Sequence, residues 1–380
     1  MLILLLTSCA DPAERVRPEP TFIRVELTAG EAGSEDTPLP FSSEPQSRTV
    51  RVTTENQDGD PYPFTGELTV NVRTGRLEMD TDLVTLTDGV WEGDVTFAAA
   101  FGPARIWFSD EGDRPGTTDR EPTYATGVSE PLWFHLPTLA EINIIEDGTT
   151  NQLAGEFAEL RTADRDVRVT AVGTNGYWVT DLDDGVAAHN SLFVYTFSAP
   201  DPWVEVGQRI DLLTGSDQDY LGTTQLSFPH YTVAEDEPVA APASSLLSEA
   251  LCGQDDTLEA YESAAVRLED VWIPSTFTAG SLDYEDYIDY GQWPVAFGQG
   301  GSGCVFYVDS TIAVPSFDPR DHVGVALTSV DGMLFQVFDK WILLIRGVED
   351  LPVALELDGS GRGPRRPLGR VDPLIERKLQ

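Results

Sequence analysis

Positive charge is the first thing this chain lacks. Lysine occurs only at Lys340 and Lys378, and 24 basic side chains stand against 64 acidic ones in 380 residues, a net charge of −40. A field of that sign, spread along the whole length, repels phosphate backbones and argues against DNA or RNA as a partner. Long apolar runs are missing too: no segment approaches the roughly 18 residues of a transmembrane helix. Cysteine is scarce at three, and the four histidines are His135, His189, His230 and His322. Neither type clusters into the set of about four closely spaced ligands that a zinc site needs. There is no Gly-x-Ser-x-Gly elbow, no phosphate-cradling Gly-rich loop followed by Lys and Ser/Thr, and no His-Glu-x-x-His helix. The expectation is a protein that is not an enzyme. Hydrophobic residues make up 41% of the chain, enough for two or three packed domains, so it is not a disordered chain.

What is present begins with Met1 to Leu6, an unbroken apolar run, followed by Thr7-Ser8-Cys9-Ala10. Small residues before a cysteine at the end of an apolar stretch resemble the lipobox of bacterial lipoproteins, with Leu6 at the −3 position and Cys9 as the acylated residue. The resemblance implies a signal peptide over 1–9 and attachment to a membrane through lipid alone. Ala10 rather than Asp follows the cysteine, which in that family points to the outer membrane, on its periplasmic or outer face. The run is shorter than the roughly 7 to 15 residues of a signal h-region and lacks a basic n-region, so translation is expected to start upstream. The alternative, a buried first strand, fits poorly with the charged, proline-rich ADPAERVRPEP at 10–20, which reads as a tether. With Cys9 assigned to lipid, Cys252 and Cys304 are an even pair in an exported chain and read as one disulfide.

The rest reads as all-β. Over 21–137, short alternating runs (Phe22 to Leu27, Thr49 to Thr54, Gly66 to Val72, Gly93 to Ala98, Ala104 to Phe108) alternate with turn clusters such as NQDGDP at 56–61 and TDG at 87–89. About seven strands at this spacing predict an antiparallel sandwich that resembles the immunoglobulin-like modules of bacterial surface proteins. Over 139–237, five runs (Val167 to Val172, Tyr177 to Leu182, Ser191 to Phe197, Gln208 to Thr214, Thr224 to Val233) predict a small barrel ending in a long hairpin. The phrases GYWVTDLDD, SLFVYTF, VEVGQRIDLLTG and YLGTTQLSFP look like successive strands of the OB-fold modules that accompany secreted bacterial nucleases. After a linker at 238–249, the region 250–355 echoes the second. Val266-Arg267-Leu268 answers Val167-Arg168-Val169, Gly291-Gln292-Trp293 answers Gly176-Tyr177-Trp178, and Asp321-His322-Val323-Gly324 falls where Val204-Glu205-Val206-Gly207 falls. A second OB-like barrel is expected there, with an acidic insertion, SLDYEDYIDY. The tail 356–380 is basic and glycine-rich and reads as a flexible end rather than a docking arm.

Few residues invite chemistry. Asp181, Asp183 and Asp184 crowd one turn and could offer oxygen ligands to calcium, although the spacing is not that of an EF-hand; solvated acidic turns are the commoner outcome. The insertion at 283–289 alternates carboxylates with tyrosines and could form a ligand loop. Arg320-Asp321-His322 imitates the Ser-Asp-His triplet of nucleases without its serine, and is read as chance. Alternation places Phe193, Tyr195 and Phe197 on one face of a strand and Leu192 and Val194 on the other, so one face fills the barrel and the other meets a partner. No Lys or Arg lies between 176 and 207, so that partner is expected to be protein, the neighbouring domain first, rather than a base. Function then reads as a non-catalytic envelope lipoprotein serving as a binding or scaffold module. The alternatives are a nucleic-acid-binding OB protein or an accessory subunit of a secreted nuclease or other hydrolase.

Overall fold

The computed structural model describes residues 21–41, 45–79, 82–110, 124–143, 153, 155–183, 189–235, 238–338 and 340–352. Cys9, Asp184 and the tail 356–380 lie outside them. The fold is all-β, and the chain divides into two compact units, Met1–His135 and Leu136–Gln380. Among the described residues no helix is long and apolar enough to cross a membrane.

In the first unit β1 (Thr21–Ala29), β2 (Gln46–Glu55), β3 (Gly66–Leu77), β4 (Leu83–Leu86), β5 (Val90–Ser109), β6 (Tyr124–Ala125), β7 (Gly127–Val128) and β8 (Leu132–Phe134) form one curled eight-stranded sheet. Strict alternation builds it: Val50, Val52, Leu68, Val70, Ile106 and Phe108 all point into one core. The runs at 93–98 and 104–108 are not separate strands. They are the two halves of β5, which pairs with β2 through Val90 to Phe97 and with β3 through Phe97 to Ser109. One strand therefore lies between β2 and β3 and pairs with both, its two halves meeting where Gly102 takes φ +57 just before Pro103. Where β3 crosses this bend Gly75 takes φ +128, and a Cβ there would lie 2.4 Å from the Ala99 carbonyl oxygen.

The second unit opens with α1 (Leu139–Asn143) and β9 (Phe157–Glu159), then a barrel of β10 (Val167–Val172), β11 (Gly176–Asp181), β12 (Ser191–Tyr195), β13 (Ile210–Tyr220) and β14 (Thr223–Val233). β15 (Ser245–Leu246) and α2 (Asp255–Leu258) lead to a second barrel. This comprises β16 (Ala265–Trp272), α3 (Leu282–Tyr290), β17 (Gln292–Ala296), β18 (Val305–Asp309), β19 (Ala326–Val337) and β20 (Lys340–Leu344). Both barrels run first–second–third–fifth–fourth, with the third and fifth strands parallel. In the second, β19 pairs back onto β16 and closes the ring. In the first, closure comes from the Val169 and Gly207 amides, which donate to Gln208 and Val169 carbonyls at 2.9 and 2.7 Å. The repeat seen in the sequence is thus a repeat of structure: Gly207 (φ +87) and Gly324 (φ +78) stand at the same turn, and each donates its amide to the first-strand side of its own barrel.

The acidic insertion is a helix rather than a loop. Ser281 caps α3 by accepting the Tyr284 amide, Asp283 and Glu285 sit in the first turn where the helix dipole favours them, and Gly291 ends it in the left-handed conformation. Cys252 and Cys304 are joined as a disulfide, with Cα atoms 6.0 Å apart, beside the core of the second barrel.

Candidate contact face

Strands β11 and β12 are buried on both faces. Val179, Leu192 and Val194 fill the first barrel, while Trp178 and Phe193 point outward and meet the second barrel. There Trp178, Phe193 and Ala171 pack with Ala265, Met333, Phe335, Val337 and Ile342, all buried. The ring of Phe193 lies 4.7 Å from Trp178 and 5.4 Å from Phe335, edge-on to the latter. At roughly 1.5–3 kcal/mol per buried large side chain, this seam is a core in its own right. The fourth-to-fifth-strand hairpins also interlock across it: Thr223 Oγ1 donates to the Gln336 carbonyl at 2.7 Å and accepts the Gln336 amide at 3.2 Å.

The three aromatics expected to share one contact face therefore part company. Phe193 is covered by the second barrel and Tyr195 is half-buried, but Phe197 is 50% exposed. From Phe193 the rings continue outward as a row: Tyr195 at 6.2 Å, Phe197 a further 4.4 Å on, and then Phe228 at 4.7 Å from Phe197 and 63% exposed. Phe197 and Phe228 both adopt positive φ, +64 and +53, a conformation that costs a bulky residue on the order of 1–3 kcal/mol. Phe228 reaches its place through a bulge, since Thr214 pairs with His230 but Ser216 pairs with Ser227, leaving Phe228 and Pro229 opposite Gly215 alone. Pro229 inside a strand-like run was the signal for that bulge, because proline cannot donate to the ladder.

A second group on the seam had no local signature. Glu262 is 1% exposed, and its Oε1 accepts the Thr224 amide of the first barrel at 2.7 Å. Burial holds its carboxyl well above the usual range, and Glu259 beside it is pushed up to about 7, again chiefly by burial. With a proton on one of them the two carboxyls hydrogen-bond each other; as two carboxylates, Oε2 of each finds no donor among the described residues. The backbone of His189 donates to the Ala260 carbonyl beside them, and burial lowers the pKa of its imidazole.

Of the three carboxylates proposed for calcium, the structure describes two, Asp181 and Asp183. Asp181 is 1% exposed and ion-pairs with Arg165, and Asp183 Oδ2 accepts the Asp166 amide at 3.1 Å. Among the described residues no three carboxylate, histidine or cysteine groups are placed to hold a metal ion. In the short helical turn Pro319–His322, capped by Asp318, His322 stacks on Phe317 and Arg320 pairs with Asp318, so that triplet forms a turn. A cleft of about 670 Å³ runs along the outer edge of β1, lined by residues 23–28 and 128–132, with Val50 and Ile106 of the core at its floor. Compared with known protein families, with curated proteins and with solved structures, the chain matches none.

Proposed function

We propose that the chain is a lipid-anchored envelope protein without a catalytic role of its own. Cys9 carries it on the membrane, an immunoglobulin-like spacer follows, and two OB-like barrels act together as one binding or scaffold module. The observation that carries the binding reading is the aromatic row, which starts beneath the second barrel and ends in solvent at Phe197 and Phe228, both in strained backbone. The shared strand order and the parallel third and fifth strands support the OB-like reading of both barrels. Fold names no ligand, so the partner is argued from charge: in a chain of net charge −40 the exposed rings are a contact for protein, not for phosphate.

The test places a photo-crosslinking phenylalanine analogue at position 228 in the intact bacterial envelope. Illumination should give an adduct heavier than the chain. The same analogue at Leu282, 85% exposed and far along the sequence, should give none. Equal labelling from both positions, or none from 228, would remove the contact face from the reading.

A further inference from the structure

In the first unit one strand edge faces a cleft instead of a neighbour. β1 pairs with β2 from Phe22 to Ala29, but on its other side it pairs with β6 at Thr21 and Phe22 alone. At Gly127 the returning chain leaves it: a Cβ there would lie 2.4 Å from Ile23 Cγ2, so the two segments touch, and from that point β7 and β8 pair with β5 instead. The Ser129 amide donates to the Ile106 carbonyl at 2.9 Å and Ser129 Oγ accepts the Ile106 amide at 3.0 Å, which fixes this second wall. At the far end the Trp133 amide donates to the Ala32 carbonyl at 2.7 Å and closes the gap. The cleft of about 670 Å³ lies between the walls 24–28 and 128–132. Among the described residues no strand pairs with the outer edge of β1 beyond Phe22.

An edge of this kind is a template for another strand, because main-chain N–H and C=O groups point out of the sheet along it. Proline or a bulge can blunt such an edge, but β1 (TFIRVELTA) has no proline and its bulge falls only between Leu27 and Ala29. Its side chains alternate as in a paired strand, with Ile23 and Val25 buried and Arg24 and Glu26 exposed. The open wall from Arg24 to Thr28 spans about 16 Å at the rise of a strand. Charge selects the occupant. Exposed Glu26 and Glu130 stand on opposite walls, and the lining guanidinium, Arg24, is already ion-paired to Glu26 at 2.7 Å and to Glu55 at 3.6 Å. A second copy of this chain would bring a further net charge of −40, and its own β1 would arrive with Gly127 already against Ile23.

We propose that the cleft takes an extended segment of a partner protein, about five residues long and alternating apolar with basic side chains, which adds to β1 through its main chain. Its apolar side chains continue the inward row of Val25 and Leu27, and its lysines or arginines lie beside Glu26 and Glu130. The first unit then binds independently of the aromatic row on the first barrel.

The probe is a labelled heptapeptide of alternating lysine and valine with a photo-crosslinking group on its central valine, mixed with the purified full-length chain at physiological salt. Its adduct should map to 24–28 or 128–132. Methylating alternate amide nitrogens of the peptide removes donors and keeps the charge, and should weaken binding at least tenfold. The surface double variant E26K/E130K should weaken it about tenfold, whereas E205K/E235K, an equal change of charge at exposed positions of the second unit, should leave it unchanged. No binding, an adduct elsewhere, indifference to amide methylation, or equal weakening by the two double variants overturns the proposal. A dimer of the chain that the peptide dissociates would seat a second copy at this edge and also overturns it. Thermal transitions matching the wild type show that each variant is folded.

Discussion

Raising the pH should loosen the seam between the barrels through Glu259 and Glu262. Both are acids whose pKa is raised in the folded chain, by burial first, with the charges of Asp219, Asp255 and Asp256 adding to the effect on Glu259. The sign follows directly. The neutral form is favoured by folding, so the contribution is complete below the ordinary value of 4.5 and is lost as pH rises through about 7. Moving one carboxyl from 4.5 to about 7 corresponds to about 3 kcal/mol, and because Glu259 is partly open to water we reduce this to about 2 kcal/mol. For a unit of this size that is a fall of roughly 6 °C in melting temperature. The perturbation is Glu262→Gln, which keeps an acceptor for the Thr224 amide and gives Glu259 a permanent donor. Calorimetry of the full chain at pH 5 and pH 9 should show the wild type losing stability across this range and E262Q losing less than half as much. Glu262→Ala, which strands the Thr224 amide, should be weaker at every pH by about 1–3 kcal/mol. Equal losses in wild type and E262Q would refute the reasoning, since the high-pH penalty would then belong to charge elsewhere.

The other perturbations are simpler. Phe193→Ala and Phe335→Ala should each cost about 3–5 kcal/mol in urea unfolding. Their double-mutant cycle should show a coupling of about 1 kcal/mol, because the rings touch at 5.4 Å. Replacing Cys252 and Cys304 together by serine should cost roughly 4 kcal/mol, and non-reducing mass spectrometry of envelope-derived protein should find no alkylatable pair in the wild type. Expressed in a bacterial host, the chain should incorporate labelled fatty acid. Cys9→Ala should release it from membranes, and a variant that stays equally membrane-bound ends the lipoprotein reading.

Much of the architecture was legible because it is written in period and punctuation. Val167–Val172 is a strand over the bounds its alternation predicts, and the echo between Val204 to Gly207 and Asp321 to Gly324 is the same turn twice. The continuity of β5 was not legible, because Gly102-Pro103 reads as a turn between two strands, whereas the chain only bends there. Helix α3 is not signalled although Ser281 and Gly291 bracket it, since its core-facing stripe is only Tyr284 and Tyr287 set among carboxylates. For the contact face, sequence showed that β12 is apolar on both sides, but not where the second barrel's cover stops. That limit, which separates Phe193 from Phe197, is set by long-range docking of Phe335. The same reason hid the rest. A carboxylate in a turn looks alike whether it faces an ion or, as Asp181 does, an arginine 16 residues away, and nothing local tells that Glu262 is fully buried.

The barrels' architecture bears on nucleic acid in a way that composition alone does not. On the OB-like reading proposed above, the outer face of the second and third strands would be the platform for a single strand. In the first barrel that platform is Trp178 and Phe193, and Phe335 sits on it. In the second it includes Tyr307, whose hydroxyl donates to Asp283 of α3 at 3.0 Å and whose ring lies under Lys340, itself paired with Asp286 of the same helix. Each platform is thus covered, one by the neighbouring barrel and one with the help of the acidic insertion. Stacking at about 1–3 kcal/mol per base would have to displace these covers before any base could land, and no basic groove would repay the cost. The full chain should therefore leave the fluorescence anisotropy of a labelled single-stranded oligonucleotide unchanged at physiological salt. Phe335→Ala, which thins the cover on the first platform, should not create binding either, because the first barrel's strands still present only Arg168 and Arg209, each already paired to a carboxylate. Micromolar binding by the full chain, weakened by Phe197→Ala, would show instead that the open end of the row is a base platform and would put the nucleic-acid reading first.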